Sequence, residues 1–313
     1  MRQNQCGYET AGMMPGNHSP KEKTMSATPD LICYKTMPVW TKNNIPPSIL
    51  SRHNTKAGTW GKLRVIKGRV KFHEMNEAGE TLAEHILTPE SEVWTITPQA
   101  WHKAELLDDD SAFQLEFHCE KKDYFSKKYG MTATHSAVVD AARRVPPGKA
   151  LDLGCGQGRN ALYLGLLGFD VTASDYNPAP LAALEDMADA ENLRVQTCIY
   201  DMNTAALAEN YDFLVATVVF MFLNAGRVPA IIENMQAHTT PGGYNLIVSA
   251  MDTQDHPCVM PFSFTFREGE LKKYYEGWEM AEYREEIGSM HATDAQGKPI
   301  QLKFVTMLAR KPA

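Results

Sequence analysis

The stretch that decides the fold of this chain is Leu151-Asp152-Leu153-Gly154-Cys155-Gly156-Gln157-Gly158-Arg159-Asn160. It opens with apolar residues, continues with glycines at alternate positions and runs into a helix-forming segment at 161–167. That order predicts a buried strand, a tight turn and a helix. Glycines let a ligand approach the backbone without a Cβ in the way, and a helix start presents free N–H groups. The stretch therefore predicts a ligand site at the end of a strand.

Strand and helix patterns alternate from residue 149 to the end of the chain. Strands are predicted at 149–153, 170–173, 193–199, 211–217 and 244–250, with helices at 159–167, 178–189 and 225–238. A helix at 134–142 with Thr134 as its cap precedes them, and strands at 277–285 and 302–310 flank a polar hairpin region. The alternation predicts a parallel sheet with helices on both faces. Ligands bind such sheets at the carboxyl ends of the strands.

The chain before this α/β region has a different character. Residues 1–30 are polar and without periodicity, which predicts a disordered tail. Residues 31–119 hold short alternating runs, at 62–67, 69–73, 92–96 and 112–117, separated by turn sequences at 76–80 and 97–100. Several short strands at this spacing predict a small β-sandwich or barrel. The domain boundary is expected near Glu120.

Acidic side chains follow two of the predicted strands of the α/β region. Asp175 comes after the second strand, where a carboxylate can accept hydrogen bonds from ribose hydroxyls. Asp201 and Met202 close the third strand, where a carboxylate could hold an exocyclic amine and an apolar side chain could lie against a base. Thr217 ends the fourth strand, followed by Val218, Phe220 and Phe222. Together these positions predict a nucleotide-type pocket.

The glycine pattern separates two kinds of nucleotide site. The dinucleotide fingerprint G-x-G-x-x-G is not met, because Arg159 stands where its last glycine belongs. The pattern D-x-G-x-G-x-G instead resembles motif I of class I S-adenosylmethionine (SAM)-dependent methyltransferases. The segment from Tyr124 to Ser136, the run from Tyr211 to Leu223 and the stretches 245–253, 268–278 and 304–311 are similar to the tellurite-resistance methyltransferase family, TehB. Residues 31–119 resemble the cupin-like β domain of its longer members.

The resemblance implies an architecture and a cofactor site. The expected fold is α/β: a class I (Rossmann-like) methyltransferase domain at 120–313 with a seven-stranded, mostly parallel sheet, preceded at 31–119 by a small all-β cupin-like barrel or sandwich. The expected cofactor is SAM. Carried over position by position, its site comprises Asp152, Gly154, Gly156, Asp175, Tyr176, Asp201, Met202 and Thr217, with Tyr129 or Thr134 closing over the methionine end.

The family further implies an oxyanion substrate, tellurite, with selenite as a second candidate. Related sequences carry His-Arg-Thr-Asp near the final hairpin, whereas this chain has His291-Ala292-Thr293-Asp294 and so lacks one basic residue. His291 is the predicted catalytic residue, through an electrostatic or oxyanion contact, and a surface histidine on a polar hairpin is the alternative. Arg267, Arg159 and Lys298 are weaker candidates. No dedicated base is required, since a tellurite lone pair can attack without losing a proton.

Two other functions remain open from the sequence. One is a methyltransferase for another small soft nucleophile, such as a thiol or selenol. The other is a SAM-binding regulator whose β domain senses a ligand or a metal. Five of the ten histidines fall in the β region, but none are spaced as H-x-H, so no metal site is predicted there. Arg52-His53-Asn54 and Trp101-His102-Lys103 are the best candidates for a pocket in that region.

Composition bounds the remaining possibilities. The 313 residues carry a net charge of −7, which argues against nucleic acid as a partner. No apolar run is long enough for a transmembrane helix, and the N-terminus lacks the apolar core of a signal peptide. The six cysteines are scattered without a C-x-x-C pair, which indicates reduced thiols and a cytoplasmic location. Cys155 is interpreted as a small residue that fits the turn. The oligomeric state stays open, a homo-oligomer included.

Overall fold

The computed structural model describes residues 30–294 and 296–313, and the side chain of His291 lies outside that description. Leu31–Ala313 forms one compact unit. The predicted disordered tail lies outside the described residues except for Asp30. None of the helices in the described part is both long and apolar enough to cross a membrane.

Residues 31–120 form two antiparallel sheets. Their elements are β1 (Leu31–Thr36), β2 (Trp40–Thr41), α1 (Pro47–Leu50), β3 (His53–Asn54), β4 (Trp60–Lys67), β5 (Val70–Met75), β6 (Thr81–Leu87), β7 (Trp94–Ile96), β8 (Trp101–Leu106) and β9 (Ala112–Glu120). One sheet has the order β1-β9-β4-β7, with β2 also paired to β9, and the other has the order β3-β8-β5-β6. The strands predicted from alternation overlap β4, β5, β7 and β9, and the predicted turns join β5 to β6 and β7 to β8.

The alternating apolar residues of these strands form one core. Leu63 and Val65 of β4, Phe113 of β9 and Val70 and Phe72 of β5 are buried together. Because successive side chains of a strand point to opposite faces, the residues between them face outward. The strand pattern therefore produces the predicted all-β architecture. The division into two domains at Glu120 stays a prediction.

The rest of the chain forms the α/β region. Its elements are α2 (Tyr124–Tyr129), α3 (Ser136–Ala141), β10 (Lys149–Leu153), α4 (Arg159–Leu166), β11 (Asp170–Asp175), α5 (Leu181–Ala190), β12 (Val195–Ile199), β13 (Tyr211–Thr217), α6 (Val228–Ala237), β14 (Thr239–Ala250), α7 (Glu270–Tyr274), β15 (Glu279–Thr293) and β16 (Pro299–Arg310). The strands make a seven-stranded sheet in the order β12-β11-β10-β13-β14-β16-β15. The first five are parallel, and β16 and β15 are antiparallel. The predicted fold class is confirmed.

Helices cover both faces of this sheet. Val138 of α3, Leu162 of α4 and Leu184 of α5 lie in the hydrophobic cluster on one face. Ile232 of α6 and Leu271 of α7 lie in the cluster on the other face. Strands buried on both sides explain the nearly continuous apolar runs of β10 and β13.

Several element boundaries differ from the prediction. Thr134 is not the cap of α3; His135 is, and its Nδ1 accepts a hydrogen bond from the Ala137 N–H at 3.2 Å. Thr134 instead donates its hydroxyl to the carbonyl oxygen of Lys122 at 3.1 Å. Helix α2 was not predicted, because its six residues are too few to show a helical period.

The C-terminal strands are also longer than predicted. Strand β14 begins at Thr239, where an irregularity opposite Tyr211 accommodates the Pro-Gly sequence that predicted a turn. Strand β15 runs to Thr293 and β16 starts at Pro299, so most of the polar hairpin region is paired. The polar side chains of this region are typical of a loop, but its backbone is nevertheless paired along the hairpin.

Candidate functional site

A cavity of about 600 Å³ lies at the carboxyl ends of β10, β11, β12 and β13. It is lined by Gly154, Asp175, Tyr176, Tyr200, Asp201, Met202, Asn203, Val218, Val219, Phe222 and Leu223. The strand order reverses between β10 and β13, so the cavity occupies the position where open α/β sheets bind ligands. It brings together five of the predicted site residues.

The three glycines of the opening stretch have different surroundings. All three have positive φ values: 67° at Gly154, 53° at Gly156 and 80° at Gly158. A Cβ on Gly154 would lie 2.4 Å from Cγ2 of Val219, and a Cβ on Gly158 would lie 2.3 Å from Cδ1 of Leu184. Nothing lies within 4 Å of the corresponding position on Gly156. Two of the glycines thus permit internal packing, and only Gly156 faces open space.

Asp152 is a buried carboxylate with an unsatisfied oxygen. Its side chain is 1% exposed, and burial raises its pKa to about 7, against a hydrogen bond from the Ala161 N–H and the charge of Arg159. Its Oδ2 has no hydrogen-bond partner. A buried polar group without a partner costs free energy. Asp152 is therefore prepared for a cationic or hydrogen-bonding group that is not part of the chain.

Asp175 is fixed by the backbone of two turns. Its Oδ2 accepts the N–H of Gly156 at 2.9 Å, and its Oδ1 accepts the N–H of Asn177 at 2.9 Å. Each carboxylate oxygen can accept a second hydrogen bond. The glycine turn after β10 and the acidic residue at the end of β11 therefore form one connected unit at the cavity wall.

Asp201 and Met202 follow β12 and are held by Asn203. Oδ1 of Asp201 accepts both the backbone N–H and the side-chain amide of Asn203, each at 2.9 Å. Oδ1 of Asn203 in turn accepts the N–H of Asn224 at 2.9 Å, which ties this loop to the one after β13. Met202 is 4% exposed and supplies an apolar surface. Asn203 was missed in the sequence because an asparagine beside an aspartate is common in turns.

Two aromatic side chains at the cavity are largely exposed. Tyr176 is 76% exposed and Phe222 is 64% exposed, although both line the cavity. The Phe222 ring also packs edge-on against Phe262, with centroids 5.7 Å apart. Exposed aromatic rings at a cavity are available to cover a flat ligand.

The other predicted site residues are not on the cavity wall. Asp152 and Gly156 belong to the strand and turn beside it. Tyr129 donates its hydroxyl to Glu191. The Thr217 hydroxyl accepts from the side-chain amide of Asn160 at 3.0 Å.

Asn160 connects the predicted residues to the segment before α3. It is 3% exposed, and its Oδ1 accepts the N–H of His135 at 3.1 Å. It thereby joins the end of β13, through Thr217, to the segment that contains Thr134. Asn160 was missed in the sequence, yet an asparagine in the first turn of a largely apolar helix, directly after Arg159, is a signal that could have identified it.

An apolar cluster that is rich in sulfur packs against Val218 of the cavity wall. Val218 lines the cavity and packs against a cluster of Met221, Ala250 and Leu302. Partly buried Cys258, Met260, Phe262, Met290, Ile300 and Phe304 extend this cluster. Val218 has a φ of 50°, which is strained for a β-branched residue. Such strain is characteristic of positions that shape a binding site.

The hairpin of β15 and β16 extends past the carboxyl end of β14. Ala250, the last residue of β14, pairs with Phe304, so the earlier residues of β16 and their partners on β15 lie beyond that end. His291 lies on this part of β15, and its side chain is outside the described residues. Of the weaker cationic candidates, Arg267 binds Asp252 and Arg159 donates to the carbonyl oxygen of Ala133.

The predicted histidine positions of the β region come together on one sheet. His53 pairs with His102 across β3 and β8, and their ring centroids are 4.2 Å apart. Burial lowers the pKa of His102 to about 4, against a hydrogen bond with the Ala100 carbonyl. The guanidinium of Arg52 lies over the Trp101 ring at 4.4 Å. These residues pack closely against one another.

Known proteins are similar to this chain in sequence and in structure. A family model described as "Tellurite resistance protein TehB" matches residues 117–308, and one described as "TehB-like domain" matches residues 35–115. A Haemophilus influenzae (strain 10810) protein named "Probable S-adenosyl-L-methionine-dependent methyltransferase TehB" is 60% identical over 282 residues, covering 90% of this chain and 99% of that protein. "Hemagglutinin 1" of Eikenella corrodens is 66% identical over 247 residues, covering 79% and 82%. The crystal structure of TehB from Haemophilus influenzae superposes with a TM-score of 0.88 at 59% identity, covering 90% and 98%.

Proposed function

This chain belongs to the TehB family and is a SAM-dependent methyltransferase, and from that premise we propose that it methylates tellurite, with selenite as a second acceptor. The description of the matching family model supports tellurite. The apolar, sulfur-rich cluster that packs against Val218 is the observation on this chain that carries the proposal, because apolar surroundings suit a soft acceptor that needs no general base.

The residues present fit the cofactor. A cavity of about 600 Å³ falls within the range of roughly 300–1,000 Å³ usual for small-molecule sites. The unpaired Oδ2 of Asp152 on β10 and the open space at Gly156 in the turn that follows are four residues apart at the same strand end. Bound SAM supplies an electrophilic methyl group on a sulfonium sulfur.

We assign the following parts in SAM binding to residues of the cavity and of the segments beside it. Asp175 accepts hydrogen bonds from ribose hydroxyls, and Asp201 accepts from an exocyclic amine while Met202 lies against the base. Asp152 attracts the ammonium of the methionine part through the turn that contains Gly156. Thr217 and Thr134 act through Asn160 by holding the segment before α3, and Tyr129 closes this end from α2.

The acceptor site combines apolar walls with one basic residue. Val218 and Phe222 would exclude water from the acceptor end of the cavity. Bound SAM would supply a methyl group, which would pass from its sulfur to a tellurium lone pair and leave S-adenosylhomocysteine. Alignment and water exclusion are then the main contributions of the protein to rate. His291 contacts the oxyanion electrostatically from the hairpin. Arg267 is paired with Asp252, and the backbone N–H of Lys298 is bound to Asp294 in the hairpin turn. Neither cation is therefore preferred.

The test is the formation of S-adenosylhomocysteine from SAM by the full chain with tellurite, selenite or a simple thiol as acceptor. We expect turnover with tellurite and less with selenite. Turnover with the thiol and with neither oxyanion would mean that the acceptor is a thiol rather than an oxyanion. Binding of SAM without product from any acceptor would favour a regulator. His291→Ala should lower turnover with tellurite at saturating SAM, whereas Lys298→Ala should not.

We also propose a cytoplasmic location. Cys33, Cys119, Cys155, Cys198 and Cys258 are all free thiols in the described structure. Free and partly exposed thiols persist in reducing compartments. Fractionation of cells that express the chain, with and without its first residues, would test this proposal.

A further inference from the structure

Three side chains with metal-binding chemistry meet on the outer face of the first β-sheet. Cys33 of β1 pairs with His118 of β9, and Glu116 lies two residues before His118 on the same face. One ligand atom from each lies within 4.8 Å of the others. Within the described part of the chain, this is the one group of three such residues so placed.

A β-bulge lies next to this group. Between the pairs Cys33–His118 and Lys35–Phe117, strand β1 advances by two residues while β9 advances by one. Bulges of this kind redirect side chains and are frequent beside functional sites. As a result Thr36, rather than Lys35, is opposite Glu116, and its Oγ1 lies 3.7 Å from Sγ of Cys33.

One ring nitrogen of His118 has no hydrogen-bond partner. Its side chain is 9% exposed, its Nε2 lies 3.0 Å from Oε2 of Glu116, and its Nδ1 has no hydrogen-bond partner. That nitrogen is able to ligate a metal ion, and Glu116 has a second carboxylate oxygen to offer the same ion. Lys62 lies opposite Glu116 on β4 and is the nearest competing cation on that side in the strand register.

We propose that Cys33, Glu116 and His118 bind a divalent ion of the zinc type. Thiolate, imidazole and carboxylate are the three ligand types that Zn²⁺ combines in proteins, and the set contains one of each. The ligand atoms lie within 4.8 Å of one another, and zinc bonds of about 2.0–2.3 Å require them to move closer together. Three protein ligands leave one tetrahedral position for water.

The ion would link β1 to the rest of the β-sheet beside the methyltransferase region. Ile32 and Tyr34, the two neighbours of Cys33, pack against the hydrophobic cluster that contains α3, α4 and α5. A bridge from Cys33 to β9 therefore fixes the strand that contacts both regions. This role is independent of SAM binding and of the acceptor.

The sequence could not indicate this site. The two ligands on β9, Glu116 and His118, are two residues apart, a spacing that alternating strands produce often. Cys33 is distant in sequence and reaches them only through the pairing of β1 with β9.

The test is titration of the full chain with Zn²⁺ under a non-chelating reductant, in competition with a chromogenic chelator. We expect one equivalent to bind, with the affinity lowered at least tenfold in Cys33→Ala and in His118→Gln. The matched control is Cys198→Ala, an exposed cysteine on β12, which should bind as the unmodified chain does. Substitution with Co²⁺ should give a thiolate charge-transfer band that Cys33→Ala loses.

Two outcomes would overturn the proposal. One is the absence of stoichiometric binding by the unmodified chain. The other is binding that Cys33→Ala and His118→Gln both retain, as would happen if the ion went to His53 and His102. Unchanged SAM affinity and near-ultraviolet circular dichroism would establish that the variants are folded.

Discussion

At the scale of single residues, Gly156 differs from its two neighbouring glycines in facing open space. Gly156→Ala should therefore reduce SAM affinity at least tenfold, since its Cβ enters the space that the ligand needs, and each tenfold loss is about 1.4 kcal/mol. The matched control is Gly269→Ala, which has a φ of 64° and also faces open space, but precedes α7 and does not belong to the glycine turn after β10. Both changes should cost about 1–2 kcal/mol in stability through backbone strain. Equal SAM affinity in the two variants, measured by calorimetry, would contradict this assignment.

Asp175 is predicted to bind ribose hydroxyls with its remaining lone pairs. Asp175→Ala should weaken SAM binding by about 1.5–3 kcal/mol, the usual range for hydrogen bonds to a charged group, or roughly 10- to 150-fold. Asp170→Ala removes an exposed carboxylate from the other end of the same strand and serves as the control. Unchanged SAM affinity in Asp175→Ala would contradict the assignment of Asp175 to the ribose hydroxyls.

Asp152 should give the protein a distinctive dependence on pH. Burial raises its pKa to about 7, so between about pH 4 and 7 the folded state holds a proton that the unfolded state has lost. Its contribution to stability is thus complete at low pH and is lost as the pH rises through 7. Relative to Asp152→Asn, the free energy of unfolding should fall by about 2–3 kcal/mol between pH 5 and 8, given about 1.36 kcal/mol per pKa unit. The free energy of unfolding is measured by chemical denaturation without ligand. If it changes with pH in the same way in the unmodified chain and in Asp152→Asn, this assignment is wrong.

At the scale of elements, Glu191 after α5 holds helix α2 in place. It accepts the Tyr124 hydroxyl at 2.8 Å, the Tyr129 hydroxyl, and the Lys128 ammonium at 2.6 Å. Burial acts to raise the pKa of Glu191, but hydrogen bonds from Lys128, Tyr129 and Tyr124 together lower it.

Glu191→Gln should lower the melting temperature and weaken SAM binding, because it loosens the helix that carries Tyr129. The loss of stability should be about 1.5–3 kcal/mol, the range for hydrogen bonds to a charged group. Glu185→Gln, an exposed position on the same helix, is the control and should have a smaller effect on both. Loss of stability with unchanged SAM affinity would mean that α2 does not close the site.

The elements also show what the sequence can predict. Strands β10 and β13 were predicted with the observed bounds, because each is a run of apolar residues buried on both faces. The hairpin of β15 and β16 was predicted too short, since its outer half is polar and its pairing depends on backbone geometry. Acidic residues at strand ends were found from topology alone, whereas Asn160 and Glu191 act through contacts between distant segments. No local pattern reports such contacts.

At the scale of the whole molecule, the β-sheets and the α/β region share an interface. Lys127 of α2 donates to the Ala57 carbonyl oxygen and to the Thr59 hydroxyl, both at 2.9 Å. Tyr34 and Ile32 of β1 pack against the large hydrophobic cluster of the α/β region. The two regions are thus joined by both polar and apolar contacts.

These contacts predict a single unfolding transition for the full chain in calorimetry. Tyr34→Ala should lower the midpoint of that transition, because removing a large partly buried aromatic side chain typically costs a few kcal/mol. Ile66→Ala, at an exposed position of β4, should leave the midpoint nearly unchanged. Two well-separated transitions in the unmodified chain would contradict the coupling of the two regions.

The unequal surroundings of the three glycines have a consequence for evolution. All three glycines have a positive φ that disfavours other residues. Beyond that strain, Gly154 and Gly158 are required by packing against Val219 and Leu184, whether or not a ligand binds, whereas the open space at Gly156 is needed only by the ligand. A descendant that abandoned catalysis should therefore keep the first and third glycines and lose the second. The middle position of this turn is the place to look when distinguishing working enzymes from degenerate copies that have kept only the fold.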